Sequence, residues 1–248
     1  MDKLYAALIF FTRLPVWKFT DPSRDAFKDV VIFWPYVGWL SGGLMAIILK
    51  GGLFVFPGIV TIILALTCRI MLTGALHEDG MADFCDGFGC GGDKTRILTI
   101  MKDSHIGTYG VIGLILYFVT IISALMSLPV TVAVWGVVAA DAFSKFCAAQ
   151  ITNLLPYARP EGAKNGILYS RMSIGKWIVC MAGGAIPLGI AAYFIGVDML
   201  FAALPPIFIM LALVVRMRRQ IGGYTGDCCG ATFIICELSF LLTLTIFY

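Results

Sequence analysis

Long apolar runs recur from one end of the chain to the other, with only short polar stretches between them. A helix needs about 20 mostly apolar residues to cross the hydrocarbon core of a bilayer. Seven stretches qualify: 30–49, 54–76, 108–128, 130–151, 177–196, 199–215 and 229–247. Pro129 parts the third from the fourth, and Gly196 to Asp198 part the fifth from the sixth, which predicts two tight helical hairpins. Gly38, Gly42 and Gly43 in the first run predict a face on which a neighbouring helix approaches closely. The expected fold is an all-α polytopic membrane protein of about seven transmembrane helices, six if one hairpin only dips into the bilayer. The runs fill residues 1–248 as a single integral membrane domain.

Composition agrees with the pattern. The 248 residues are 60% hydrophobic and 13% charged, whereas soluble domains carry about 25% charged residues. Met1 to Val16 lack the apolar core and small-residue cleavage site of a removable signal peptide. Four of the eight cysteines, Cys68, Cys147, Cys180 and Cys236, fall inside apolar runs, where cysteine acts as a small hydrophobe. Cys85 and Cys90 with His77 and His105 lack the C-x-x-C spacing of a zinc site.

Charge orients the chain. With the N-terminus in the cytoplasm, the inner segments hold Lys3, Arg13, Lys18, Arg24, Lys28, Lys94, Arg96, Lys102, Arg159, Lys164, Arg171, Lys176, Arg216, Arg218 and Arg219. The outer loops hold only Lys50. That bias predicts N-in, C-out and opens all three long polar loops, 77–107, 152–176 and 216–228, to the cytoplasm.

The densest polar loop, 77–107, carries the candidate chemistry. Asp79, Asp83 and Asp86 are spaced i, i+4, i+7 and share one face if the segment is helical. Like charges so placed repel, and a divalent cation between them removes the repulsion. Oxygen-only ligands favour Mg²⁺, which takes one or two carboxylates and completes its shell with water and phosphate. Gly80, Gly87, Gly89, Gly91 and Gly92 surround these aspartates, and successive backbone N–H groups in such a segment form anion-binding nests. Downstream, Lys102 suits a phosphate oxygen. Asp103 suits a second metal or a substrate hydroxyl, although Asp103 and Ser104 equally suit helix caps.

A second candidate pocket lies in Arg218 to Gly230, where Gly222, Gly223, Gly226 and Gly230 enclose Thr225 and Asp227. Arg159, in the turn-rich Pro156-Tyr157-Ala158-Arg159-Pro160-Glu161-Gly162, suits a phosphate. Glu237 lies ten residues beyond Asp227, about 15 Å deeper on a continuous helix, and an intramembrane carboxylate is a functional candidate. Asp141 and Lys145, four apart in one run, are expected to pair.

The ordered set of motifs resembles the cobalamin synthase family, the adenosylcobinamide-GDP ribazoletransferases. The likeness runs through Phe11-Thr12-Arg13-Leu14-Pro15-Val16 and Trp34-Pro35-Tyr36-Val37-Gly38. It is densest at Leu76-His77-Glu78-Asp79-Gly80-Met81-Ala82-Asp83-Phe84-Cys85-Asp86-Gly87. It continues at Ile100-Met101-Lys102-Asp103-Ser104-His105-Ile106-Gly107-Thr108, Tyr157-Ala158-Arg159 and Gly222-Gly223-Tyr224-Thr225-Gly226-Asp227. The resemblance implies an inner-membrane enzyme with a cytoplasmic site and Mg²⁺ as cofactor. It would join adenosylcobinamide-GDP to α-ribazole or its 5′-phosphate, releasing GMP. Its implied partners are those substrates and the lipid bilayer, with no nucleic acid; self-association or association with other late corrinoid enzymes is compatible with it.

On that reading Asp79, Asp83, Asp86 and Asp227 hold metal, with Glu78 as a further ligand or a bystander. His77 or Asp103 is the general base, and Lys102, Arg159 and Arg219 contact phosphate. Gly87, Ser104, Gly223, Thr225 and Gly226 bind substrate. The chain departs from many relatives in having Glu78 where an apolar residue is usual, and His105 and Lys145 where arginine is common. Two other classes compete. A CDP-alcohol phosphatidyltransferase-like enzyme would need an Ala-Arg between its aspartates, which Met81-Ala82-Asp83 lacks. A transporter would route ions past Asp141, Lys145 and Glu237.

Overall fold

A computed structural model describes residues 1–159 and 169–248. Twelve α-helices follow one another: α1 (Asp2–Phe11), α2 (Trp34–Gly52), α3 (Gly58–Thr73), α4 (Leu76–Cys90), α5 (Lys94–Ile100), α6 (Thr108–Ser127), α7 (Val130–Ala149), α8 (Ile151–Leu154), α9 (Ile174–Ile195), α10 (Asp198–Ala202), α11 (Leu204–Ile221) and α12 (Gly226–Phe247). Short 3₁₀ turns cover Val16–Lys18 and Ala26–Phe33. Among the described residues there is no strand, only an isolated bridge between Tyr157 and Tyr224.

Among the described residues six helical stretches are long and apolar enough to span a membrane: Ala26–Gly52, Thr108–Ser127, Val130–Leu154, Ile174–Ile195, Asp198–Ile221 and Gly226–Phe247. A seventh is reached only if α3 and α4, bent 90° from one another, count as one broken span. The chain is a multi-pass membrane protein. The expected second span, 54–76, shrinks to the 16-residue α3 because Gly74 and Ala75 both adopt left-handed backbone, at φ 68° and 58°. L-residues avoid that conformation, so consecutive left-handed residues end α3 sharply and redirect α4.

The central helix is α7, packed against α2, α9 and α12. Gly38 and Gly42 make the α2 contact close: a Cβ on Gly38 would lie 2.7 Å from Ala142 Cα, and one on Gly42 2.9 Å from Val138 Cα. Gly43, also expected on that face, meets nothing. The outward faces of α3, α6, α9 and α11 expose Ile63, Ile112, Leu116, Ile190, Phe208 and Leu211, the belt that lipid covers. The chain breaks at both predicted hairpins, α6 giving way to α7 at Pro129 and α9 ending at Gly196. The joined helices do not pack along one another, however: α6 lies against α4, α12 and α3, and α11 against α12.

Inside this frame sits a sealed polar core. Arg69 of α3 is 1% exposed and donates to Glu237 Oε1 at 2.5 Å and to the Tyr117 hydroxyl at 2.5 Å. Glu78 of α4 stands 3.6 Å from the same guanidinium. Lys145 donates to Ser41 Oγ at 2.9 Å and pairs with Asp141, as their spacing predicts, and it lies 4.2 Å from the Phe233 ring centroid. The Arg69–Glu237 ion pair thus joins α3 to α12, with Tyr117 tying in α6, and the Asp141–Lys145 pair within α7 is tied to α2 by Ser41.

The other polar segments gather at one end of the bundle. Asp29 accepts from Lys3 at 2.6 Å and Lys176 at 2.8 Å, tying α1, the 3₁₀ turn and α9 together. Arg218 donates to Leu154 O, and Arg216 to Phe88 O. The expected polar loop 77–107 is largely helical, as α4 and α5. Its glycines at 80, 87 and 89 sit inside α4, where the helix ladder occupies backbone N–H groups that a phosphate nest would need free. The exception is the Gly91–Gly92 turn, where both residues have positive φ.

Candidate active site

α4 runs across the N-terminal ends of α12 and α6, and this crossing builds the site. Gly80 allows it. A Cβ there would meet the backbone of Asp227 at 3.0–3.1 Å, and one on Gly230 would meet the backbone of His77 at 3.3–3.4 Å. The two chain segments that the sequence marks as acidic, 77–86 and 225–227, are thus in backbone contact.

A cavity of about 320 Å³ opens beside this crossing. Asp79 and His77 of α4 line it with Gly226, Asp227 and Gly230 of α12. Tyr157, Arg159 and Tyr169 close another wall, and Phe10, Phe11, Val31 and Trp34, with Leu76 and Cys229, the remainder. The first turn of α12 carries Asp227, where a helix N-terminus favours negative charge. Thr225 caps that helix, accepting from Cys228 N–H at 3.4 Å and donating to Asp227 Oδ2 at 3.2 Å.

Arg159 reaches the cavity through a short backbone pairing. Tyr224 N–H donates to Pro156 O and Ala158 N–H to Tyr224 O, each at 2.9 Å. Gly223 permits this approach, since a Cβ would lie 2.3 Å from Pro156 O. Arg159 then donates to Asp227 Oδ2 at 3.2 Å, while its buried Nε has no partner. Burial pushes the phenols of Tyr157 and Tyr169 up, so both present neutral O–H groups at neutral pH.

His77 is 2% exposed and is held by rings: Trp34 stacks at 5.6 Å between centroids and Phe233 approaches at 4.7 Å. Its Nε2 has no hydrogen-bond partner. Buried polar atoms are almost always satisfied, so an unpartnered one on a cavity-lining residue points to a ligand.

The aspartate face predicted for α4 forms, but it is graded. Asp79 is exposed, Asp83 is half-buried and Asp86 is buried. The Asp86 carboxylate accepts from Gly107 N–H at 2.7 Å and Gly110 N–H at 2.8 Å, so it closes the N-terminus of α6. Gly87 packs beneath α5, where a Cβ would lie 2.5 Å from Met101 Cγ. Glu78 is turned inward to Arg69. Lys102, Ser104 and Arg219 are exposed and lie outside the cavity lining. So does Asp103, whose contacts with the backbone N–H and ring of His105, at 3.0 and 2.7 Å, hold its carboxyl below the usual range. Pro160, Glu161, Gly162 and Lys164 of the expected basic turn lie outside the described residues.

Among the described residues no three His, Cys, Asp or Glu side chains cluster to hold a metal. Mg²⁺ does not need three: it takes one or two carboxylates and completes its shell with water and substrate phosphate. Asp79 and Asp227, both at the cavity, fit that donor set. Sequence reasoning missed the aromatic wall of Phe10, Phe11, Trp34, Tyr157 and Tyr169. Its only trace was that Phe11, Trp34 and Tyr157 fall within the family-like motifs.

Comparison with known proteins shows the family. The family model described as cobalamin-5-phosphate synthase matches residues 3–245. An adenosylcobinamide-GDP ribazoletransferase of Shewanella sp. (strain W3-18-1) is 35% identical over 99% of this chain and 94% of its own length. Similarly named proteins of Shewanella oneidensis and Shewanella amazonensis are 34% and 33% identical, covering 96% and 100% of this chain and 91% and 96% of theirs. No solved structure matches. A family match over nearly the whole chain and full-length relatives above 30% identity lead to one conclusion: this protein belongs to the cobalamin-5-phosphate synthase family of enzymes.

Proposed function

We propose that the chain transfers the adenosylcobinamide phosphate of adenosylcobinamide-GDP to α-ribazole or α-ribazole 5′-phosphate. The products are adenosylcobalamin or its 5′-phosphate, and GMP. The observation that carries this reading is the meeting of Asp79, His77, Arg159 and Asp227 around one cavity, in a chain whose full-length relatives bear that activity's name.

The reaction makes one P–O bond and breaks another. A ribose hydroxyl of the acceptor attacks the phosphorus bonded to cobinamide, the pyrophosphate bridge breaks, and GMP leaves with the bridging oxygen. Such transfers depend mainly on positioning and charge neutralisation. Arg159, with its Nε unpartnered, neutralises phosphate oxygens. Asp79 and Asp227 are the ligands for Mg²⁺, which when bound offsets the charge of the pyrophosphate. His77 takes the hydroxyl proton on Nε2. Asp103 is the weaker candidate, because its contacts with His105 favour the ionised form and lower its basicity. The bias of basic residues to the cavity end supports reading that end as cytoplasmic, in a protein of the inner membrane.

The test is direct. Purified protein in detergent, given adenosylcobinamide-GDP, α-ribazole and Mg²⁺, should release cobalamin and GMP in equal amounts. Chelation should stop it and added Mg²⁺ restore it. No product from monodisperse protein overturns the proposal. His77→Gln should abolish the acid limb of the pH–rate profile, while Asp103→Asn should keep it; the reverse result moves the base to Asp103.

A further inference from the structure

The aromatic half of the cavity has no duty in phosphate transfer, yet it is the better-built half. Phe11 stacks on Trp34 at 5.0 Å and 6°, and His77 stacks on the same indole at 5.6 Å and 21°. With those rings against it, the indole's remaining function is its Nε1–H. That atom is buried and has no partner, and Trp34 is 2% exposed. A buried donor left unmade is costly, and Trp34 lines the cavity. Around it Phe10, Val31, Tyr157 and Tyr169 present apolar or flat surface.

Size restricts the occupant. Small-molecule sites run from about 300 to 1,000 Å³, so a cavity of about 320 Å³ suits a nucleoside. A corrinoid, with its macrocycle and amide arms, cannot enter. Two flat nitrogen bases take part in the proposed reaction: guanine on the donor and the benzimidazole of the acceptor. Guanine carries an N–H and an amino group along one edge that need acceptors. With the carboxylates committed to metal and His77 Nε2 to the ribose hydroxyl, only the Tyr157 and Tyr169 phenol oxygens remain to meet them. Benzimidazole, bound to ribose through one nitrogen, has a single polar atom left: a ring nitrogen that accepts.

We infer that the aromatic half of this cavity is the subsite for the acceptor's base, with Trp34 Nε1–H donating to its free ring nitrogen and Tyr157 and Tyr169 flanking the ring. Trp34 is thereby a specificity-determining residue. The inference rests on the transferase reading above, and the experiment separates the two. Wild type and Trp34→Phe are assayed with adenosylcobinamide-GDP, Mg²⁺ and either of two acceptors: α-ribosylbenzimidazole, or α-ribosylindole, which has C–H in place of the free nitrogen. Wild type should prefer the benzimidazole riboside about tenfold in kcat/KM, the scale of one buried hydrogen bond. Trp34→Phe should bring that ratio near one by slowing the benzimidazole riboside alone, with the KM for adenosylcobinamide-GDP unchanged. A ratio preserved in Trp34→Phe, or a raised KM for the GDP-linked donor instead, overturns the subsite and in the latter case reassigns it to guanine. If Trp34→Phe does not fold, wild type alone decides, because equal kcat/KM for both ribosides overturns the subsite. No product from wild type with either acceptor defeats the transferase reading itself.

Discussion

Two polar regions lie close together in this protein and differ in how far the chain satisfies them. In the sealed core, Arg69, Glu237 and Tyr117 hydrogen-bond one another, as do Lys145, Asp141 and Ser41. At the cavity, Trp34 Nε1, His77 Nε2 and Arg159 Nε are buried without partners. Polar groups inside a membrane helix bundle are costly in either place. Where the chain supplies its own counter-charges, the cluster holds helices together; where it leaves donors and acceptors bare, the cluster awaits something from outside. Glu78 belongs to the first region, since it answers Arg69 through charge at 3.6 Å although neither of its oxygens has a hydrogen bond.

The contrast can be broken by mutation, most severely at Arg69. Arg69→Ala strands Glu237 and Glu78 in a buried site, and losing one partner of a buried pair costs about 3–5 kcal/mol. The variant should aggregate on detergent extraction, or its thermal midpoint should fall steeply by nanoscale fluorimetry. A midpoint close to wild type would mean the core is not structural. Asp227→Asn should do the converse: turnover down about a hundredfold, the scale of losing a charge-stabilising group, with the midpoint little changed. Asp79→Asn should behave likewise.

Gly80→Ala sharpens the comparison, because its Cβ would press on the Asp227 backbone at 3.0–3.1 Å. Overpacking of that kind costs about 1–3 kcal/mol, so both midpoint and turnover should fall. Unchanged turnover would separate the α4–α12 crossing from the chemistry. The smallest effect belongs to Thr225→Ala, which removes the α12 cap and should cost about 1 kcal/mol. Through the lost contact to Asp227 it should also slow turnover several-fold.

Much of the bundle was legible because apolar length is a local property. The runs end at Pro129 and Gly196 as the pattern put them, though the helices joined there pack on other partners, and the Asp141–Lys145 pair followed from spacing alone. The second run misled because nothing in its composition shows that Ala75 joins Gly74 in a left-handed turn. In 77–107 the glycines read as loop, whereas Gly80 and Gly87 are helical positions made small by Asp227 and Met101, residues distant in sequence. The site was visible in its charges and hidden in its rings. Asp79, Arg159, Asp227 and His77 announce chemistry by type, but Trp34 or Tyr169 among so many apolar residues reads as core or lipid anchor. Glu237 was singled out for its depth, and only the fold, across 168 positions, supplies Arg69 as its partner.

The crossing of α4 over α12 has a thermodynamic consequence. Because Gly80 rests on the backbone of Asp227 and Gly230 on that of His77, the backbones bearing Asp79 and Asp227 are placed by helix packing before any ligand arrives. The entropy of aligning the two segments is spent once, during folding in the bilayer, and is not charged again at each turnover. On the proposed function, a site assembled this way would draw on rigidity inherited from the membrane bundle. Lipids or detergents that loosen that crossing should therefore erode kcat before they unfold the protein.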